Sequence, residues 1–207
     1  MSNMREKTEL SPAKRRQILD GARQVFIELG FERSSVGLMA ERAGGSKATI
    51  YNHFADKAAL FVACLDEECT EARAAVTSIL QAQSGDLERD LFLVGEKLVR
   101  LLISPTKMAL HRIIVAEAPR FPEVGRHLYE MIARHVGESL GTCFKLWSDR
   151  GALCVEDPVL AANQFVDLCK GDAFRRIELA VVTEISDEEV RAAVTAAVRT
   201  FLRAYRA

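Results

Sequence analysis

The chain is predicted to be all-α, with about nine helices divided between a small N-terminal head and a larger body. Three observations carry this. Apolar residues recur every three to four positions along nearly the whole chain, which is the period of a helix face. Helix starts are marked repeatedly by Ser or Asp followed by Pro, at Ser11-Pro12, Ser104-Pro105 and Asp157-Pro158, where a capping oxygen meets a ring already set for the first helical turn. Hairpin signals are missing: there is no Asn-Gly turn, no sustained alternation and no internal repeat.

The elements follow in order. Ser11-Pro12 opens a helix whose Ile18, Ala22, Val25, Phe26 and Leu29 form one face, and Gly30 is expected to end it. Ser34 and Ser35 offer the next N-cap, for a short helix with Leu38, Met39 and Ala43 that stops at Gly44. Ser46 caps a second short helix, Asp56 a long one through about Leu80 with Leu60, Cys64 and Val76 among its apolar positions. Further helices are expected over Leu87–Leu102, from Pro105 to before Pro119, from Pro122 to before Gly151, and from Pro158 towards Ala180. Ser186 and Glu189 have capping-box spacing ahead of a last stripe of Val190, Val194, Ala197, Phe201 and Tyr205.

Composition is that of an ordinary globular chain of 207 residues, 49% hydrophobic and 28% charged. The start, "MSNMREKTEL", is polar without the apolar stretch of a secretory signal, and no long uncharged apolar run suggests a membrane span. Five scattered cysteines without a CxxC fit reduced thiols. A cytoplasmic location is expected. Net charge is −1, yet the first sixty residues hold 10 Lys+Arg against 7 Asp+Glu. The basic excess therefore lies at the end that carries the two short helices.

Residues 34–54 read as a helix-turn-helix: a capped short helix, a tight turn at Gly44-Gly45, and a second capped short helix, "SKATIYNHF". Met39, Ala40, Ala43, Ile50 and Phe54 would pack inward. Ser46, Lys47, Ala48, Thr49, Tyr51, Asn52 and His53 would then form a nucleic-acid surface. Thr49 offers a hydroxyl and a methyl to base edges, while Lys47, Tyr51, His53 and the following Lys57 can reach phosphates. The bland alternative, a solvated polar face, fits the residues about equally well.

"SSVGLMAERAGGSKATIYNHFADKAALF", Ser34 to Phe61, resembles the DNA-binding signature of the TetR/AcrR family of bacterial transcriptional regulators, and "ILDGARQVFIELGFERSSV" resembles the family's first helix and turn. The resemblance implies a DNA-binding head over 11–57, a helical ligand-binding and dimerisation domain over 58–207, and a homodimer on a double-stranded DNA operator. It carries contact roles to Lys47, Ala48, Thr49, Tyr51, Asn52, His53 and Lys57, and a phosphate-side helix start to Ser34 and Ser35. Gly37 and Ala48 depart towards small residues, which should reduce base readout there. "HRIIVAEAPRFPEVGRHLYE" and "DPVLAANQFVDLCKGDAF" resemble the bodies of members that control efflux.

In the body, Met108, His111, Arg112 and Val115 share a helix face, and Phe144, Trp147, Phe165 and Cys169 add aromatic and sulfur surface. Such sets suit an apolar ligand pocket, and equally an ordinary bundle core, which is the commoner outcome for any one of them. His111 lacks a helical partner for a metal, and His127 and His135 are two turns apart. No metal, cofactor or catalytic constellation is expected, and the chain is read as not an enzyme. A stripe of Ala161, Ala162, Val166, Ala193, Ala197 and Val198 suggests dimerisation through the last two helices as a four-helix bundle. The expected function is a repressor released from a palindromic operator by a small, mostly apolar effector. The alternatives are a helical carrier without DNA binding and a thiol redox-sensing regulator.

Overall fold

A computed structural model describes residues 11–81 and 84–207. The polar start lies outside the described residues, as do the side chains of Val76, Leu80 and His135. All named elements among the described residues are helical: α1 Pro12–Arg33, α2 Val36–Arg42, α3 Lys47–Tyr51, α4 Lys57–Gln81, α5 Leu87–Leu102, α6 Pro105–Glu117, α7 Pro122–Val136, α8 Thr142–Asp149, α9 Pro158–Glu178 and α10 Asp187–Tyr205. A π segment, Gly137–Gly141, joins α7 to α8 without a break. Counted as one interrupted rod, these leave nine helices.

The expected caps form. Ser11, Ser35, Ser46, Asp86 and Asp157 each accept a hydrogen bond from a backbone N–H of the helix they start, and Ser186 and Glu189 complete a capping box. As expected, Gly30 ends the first helical run, with φ 74° and ψ 176°, and a short helical turn beyond this kink carries α1 on to Arg33. A side chain at that φ would be strained, so the bend falls on glycine. α9 is likewise interrupted, at Gly171.

The chain forms two compact units. One holds the chain to Glu68 together with Ala109–Leu128; the other holds Cys69–Met108 and Tyr129–Ala207. In the first, Ile18, Leu19, Ala22, Val25 and Phe26 of α1 are buried, as are Met39 and Ala40 of α2 and Leu60, Phe61 and Cys64 of α4. Phe26 meets Phe61 edge-on at 4.8 Å between ring centroids, and Phe31 meets both Phe61, at 5.5 Å, and Phe121, at 5.1 Å. These are favourable aromatic geometries. Arg23 ties α1 to α4 through Glu67 at 3.0 Å and Glu68 at 2.7 Å.

In the second unit α5, α9 and α10 pack with the π segment and α8 around one core. Phe144, Phe165 and Phe201 are fully buried, with centroids 5.1 to 5.8 Å apart. The stripe expected to meet a second copy is turned inward instead: Ala161, Ala162, Val166, Ala197 and Val198 all belong to this core. Their small size serves close packing within the chain. The outward faces of α9 and α10 carry Leu160, Gln164, Leu168, Ala196, Thr200 and Ala204.

Candidate nucleic-acid interface

The paired helices are held by a few local bonds. Ser35 accepts from the Leu38 N–H at 3.3 Å and starts α2. The turn closes where Gly44 N–H donates to the Glu41 carbonyl, 3.0 Å, and Gly45 N–H to that of Ala40, 2.8 Å. Gly44 sits at φ 56°, the left-handed conformation that a helix end asks of glycine. Ser46 then accepts from the Thr49 N–H at 3.1 Å and lies 2.9 Å from the Thr49 hydroxyl. Five residues make a helix too short to stand alone. Ile50, 2% exposed, and Phe54, 8% exposed, anchor it in the core of the first unit.

That anchoring decides what faces outward. Ser46, Lys47, Ala48, Tyr51 and Asn52 are exposed, and Thr49 and His53 are half-buried. This exposure follows from the rotation that Ile50 and Phe54 impose on α3. Two side chains assigned to it are otherwise engaged. Ser34 is buried, and its hydroxyl donates to the Phe31 carbonyl at 2.6 Å. Lys57 donates its ammonium to the carbonyls of Phe31, Glu32 and Ser34, at 2.6, 3.3 and 3.2 Å, and lies 4.5 Å from the centre of the Phe31 ring. Three donors meet three carbonyls at the end of α1, which the helix itself cannot satisfy. Lys57 therefore braces the end of α1, with its ammonium engaged by these three carbonyls.

A second brace was not legible in the sequence. Arg42 of α2 grips Glu28 of α1 with two bonds, at 2.7 and 2.8 Å. The guanidinium hydrogen bonds hold the Glu28 carboxyl below its ordinary range. Fourteen residues separate the pair, so no helical spacing connects them. The only signal was opposite charge beside two packed stripes.

The body residues singled out as pocket candidates divide. Phe144, Trp147, Phe165 and Cys169 come together, buried, in the core of the second unit. Met108 is buried in that unit too, outside that cluster. His111, Arg112 and Val115 belong to the first unit, and Val115 is 59% exposed. Burial pushes the thiols of Cys64 and Cys169 up to about 12, so neither supplies the thiolate a redox sensor needs. Among the described residues no group of three His, Cys, Asp or Glu side chains could hold a metal ion, and no helix is long and apolar enough to cross a membrane.

Comparison with known proteins fits this geometry. Residues 18–64 match the family model of the bacterial regulatory proteins of the tetR family, and residues 89–207 match the C-terminal domain of AefR-like transcriptional repressors. The HTH-type transcriptional repressor Rv1474c of Mycobacterium tuberculosis is 50% identical over 66 residues, 32% of this chain and 35% of that protein, so the match spans about a third of that relative's length. A crystal structure from Mesorhizobium loti MAFF303099, assigned to the TetR family of transcriptional regulators, superposes with a TM-score of 0.88 at 28% identity, covering 96% of this chain and all of that one. The flavonoid-responsive regulator FrrA superposes with a TM-score of 0.75, also at 28% identity, over 95% of this chain and 98% of its own. With a helix-turn-helix whose second helix turns Lys47, Ala48, Tyr51 and Asn52 outward, and a body of the AefR-like kind, the chain belongs to the TetR family of DNA-binding transcriptional regulators.

Proposed function

We propose that this protein is a dimeric repressor that leaves a palindromic operator when a small, mostly apolar effector enters its body. The observation that carries the reading is the outward face of α3. A short helix anchored by Ile50 and Phe54 presents Lys47, Ala48, Tyr51 and Asn52 to solvent, with Thr49 half-buried beside them. Short residues at its start let the backbone approach a groove, and Thr49 supplies a methyl and a hydroxyl for base edges. Tyr51, His53 and Lys47 contribute phosphate contacts, and Ser35 stands at the exposed start of α2. A two-fold dimer would set two such helices in successive major grooves, about 34–36 Å apart.

The outward faces of α9 and α10 support the dimer. A hollow of about 430 Å³ runs there, lined by Gln164, Leu168, Thr200, Ala204 and Tyr205 among others. Leu160 and Leu168 are 51% and 38% exposed beside it, which suits burial against a second copy. The effector would enter the body by parting the rings of Phe144, Trp147 and Phe165 beside Cys169. It would release DNA in proportion to its differential affinity for the two states, typically about 1–3 kcal/mol of coupling. FrrA is flavonoid-responsive by name, so a flavonoid series is the first panel to try.

The test begins with fluorescence anisotropy of the full chain on fragments selected from genomic DNA, against scrambled DNA, across a salt series. Selective binding with a steep salt slope is expected. Equal, weak binding to both DNAs would overturn the reading and leave a helical carrier.

A further inference from the structure

Gly37 stands at the second residue of α2, and its backbone has no need of glycine. The positive-φ glycines are Gly30, Gly44, Gly85, Gly151 and Gly171, and Gly37 is not among them. Glycine inside a helix is a destabilising choice where alanine would fit. The space around it supplies a reason. A Cβ placed on Gly37 would fall 2.4 Å from Cε of Lys47 and 3.0 Å from its Nζ, so the flexible end of that lysine would have to move aside. The Lys47 side chain runs from the first residue of α3 across the first turn of α2 and fills the place a side chain at 37 would take. No described residue pairs with its ammonium.

We propose that Gly37 is a positioning residue for DNA recognition: its missing side chain is the notch that lays Lys47 across both paired helices. One lysine then serves the DNA-facing surface of α2 as well as α3. The inference rests on the DNA-binding reading of α3 and adds to it the residue that sets where the Lys47 charge stands. A rival explanation is that a bare α2 lets the DNA backbone itself come close to Gly37, with Lys47 incidental.

A double-mutant cycle separates the two. The full-length protein and its G37A, K47A and G37A/K47A variants are titrated by anisotropy against one DNA fragment that the parent protein selects from genomic DNA. G37A is expected to weaken binding about fivefold in the parent, within the span of contact couplings, and less than about twofold once Lys47 is gone. Equal losses in both backgrounds, or no loss in G37A, overturn the proposal. A second readout needs no DNA. With lysines ¹³C-dimethylated, which keeps their charge, the Lys47 resonance is assigned by its absence in K47A. It is expected to move in G37A, and an unmoved resonance overturns the notch. A parent protein that selects no DNA would defeat the recognition reading, while the resonance would still decide whether Gly37 places Lys47.

Discussion

Lys47 and Lys57 look alike in the sequence, each a lysine beside a helix start, and the structure gives them different work. Lys47 is exposed, whereas Lys57 closes three carbonyls at the end of α1. Salt dependence tells them apart. Replacing Lys47 with Ala is expected to weaken binding to every sequence and to reduce the log–log salt slope by about 0.9, the release of one phosphate's counterions. Lys57→Met is expected to leave that slope unchanged and to cost the head about 1–3 kcal/mol, because three carbonyls, two of them in part-buried bonds, lose a charged donor. Urea denaturation checks the second effect. An unchanged midpoint in Lys57→Met, with a flatter slope, would restore the phosphate role.

At the scale of elements, the helices themselves were legible because their starts are chemical. Ser46, Asp86, Asp157 and the Ser186–Glu189 box each announce a first turn through their own side chains. The outward face of α3 was legible for a related reason, since Ile50 and Phe54 fix its rotation. Illegible were the facts that depend on what packs against what. A stripe of small residues is the same text whether it meets a second copy or its own core, and Ala161, Ala162 and Ala197 meet the core. The link of α10 to α5 and α9 shows the same limit, since it pairs charges on different helices. Arg100 of α5 holds Asp187 of α10 as well as Glu96 of its own helix, and Arg176 of α9 holds Glu189 of α10 at 2.8 Å. Those guanidinium hydrogen bonds keep the three carboxyls below their ordinary values of 3.8 for Asp and 4.5 for Glu. A carboxyl lowered on folding stabilises the folded state above its unfolded value and ceases to do so as pH falls through the folded one. The thermal midpoint of the protein is therefore expected to fall as pH drops below about 4.5. The Arg100→Ala, Arg176→Ala double variant should show a shallower fall in the same melts.

For the whole molecule, the dimer proposal makes a sharp demand on one residue. Leu168→Arg puts a charge on the outward face of α9, beside the hollow shared with α10. A two-fold interface buries that position twice, so the variant is expected to run as a monomer in light scattering at micromolar concentration and to bind a palindromic fragment at least about tenfold more weakly. A dimer of unchanged mass would move the interface elsewhere. The division of the chain has a different kind of consequence. The compact unit that carries α1 to α3 also contains Ala109–Leu128, where Phe121 packs on Phe31 and Arg120 reaches Glu32 at 2.8 Å. Its members are thus encoded in two separated stretches of the gene. A recombination crossover just after codon 57 would transmit the recognition helix intact to a new body, yet the recipient would have to bring its own ring for Phe31. Heads of this lineage are expected to be inherited together with the middle of their own gene, and chimaeras that exchange both stretches should fold where those exchanging one do not.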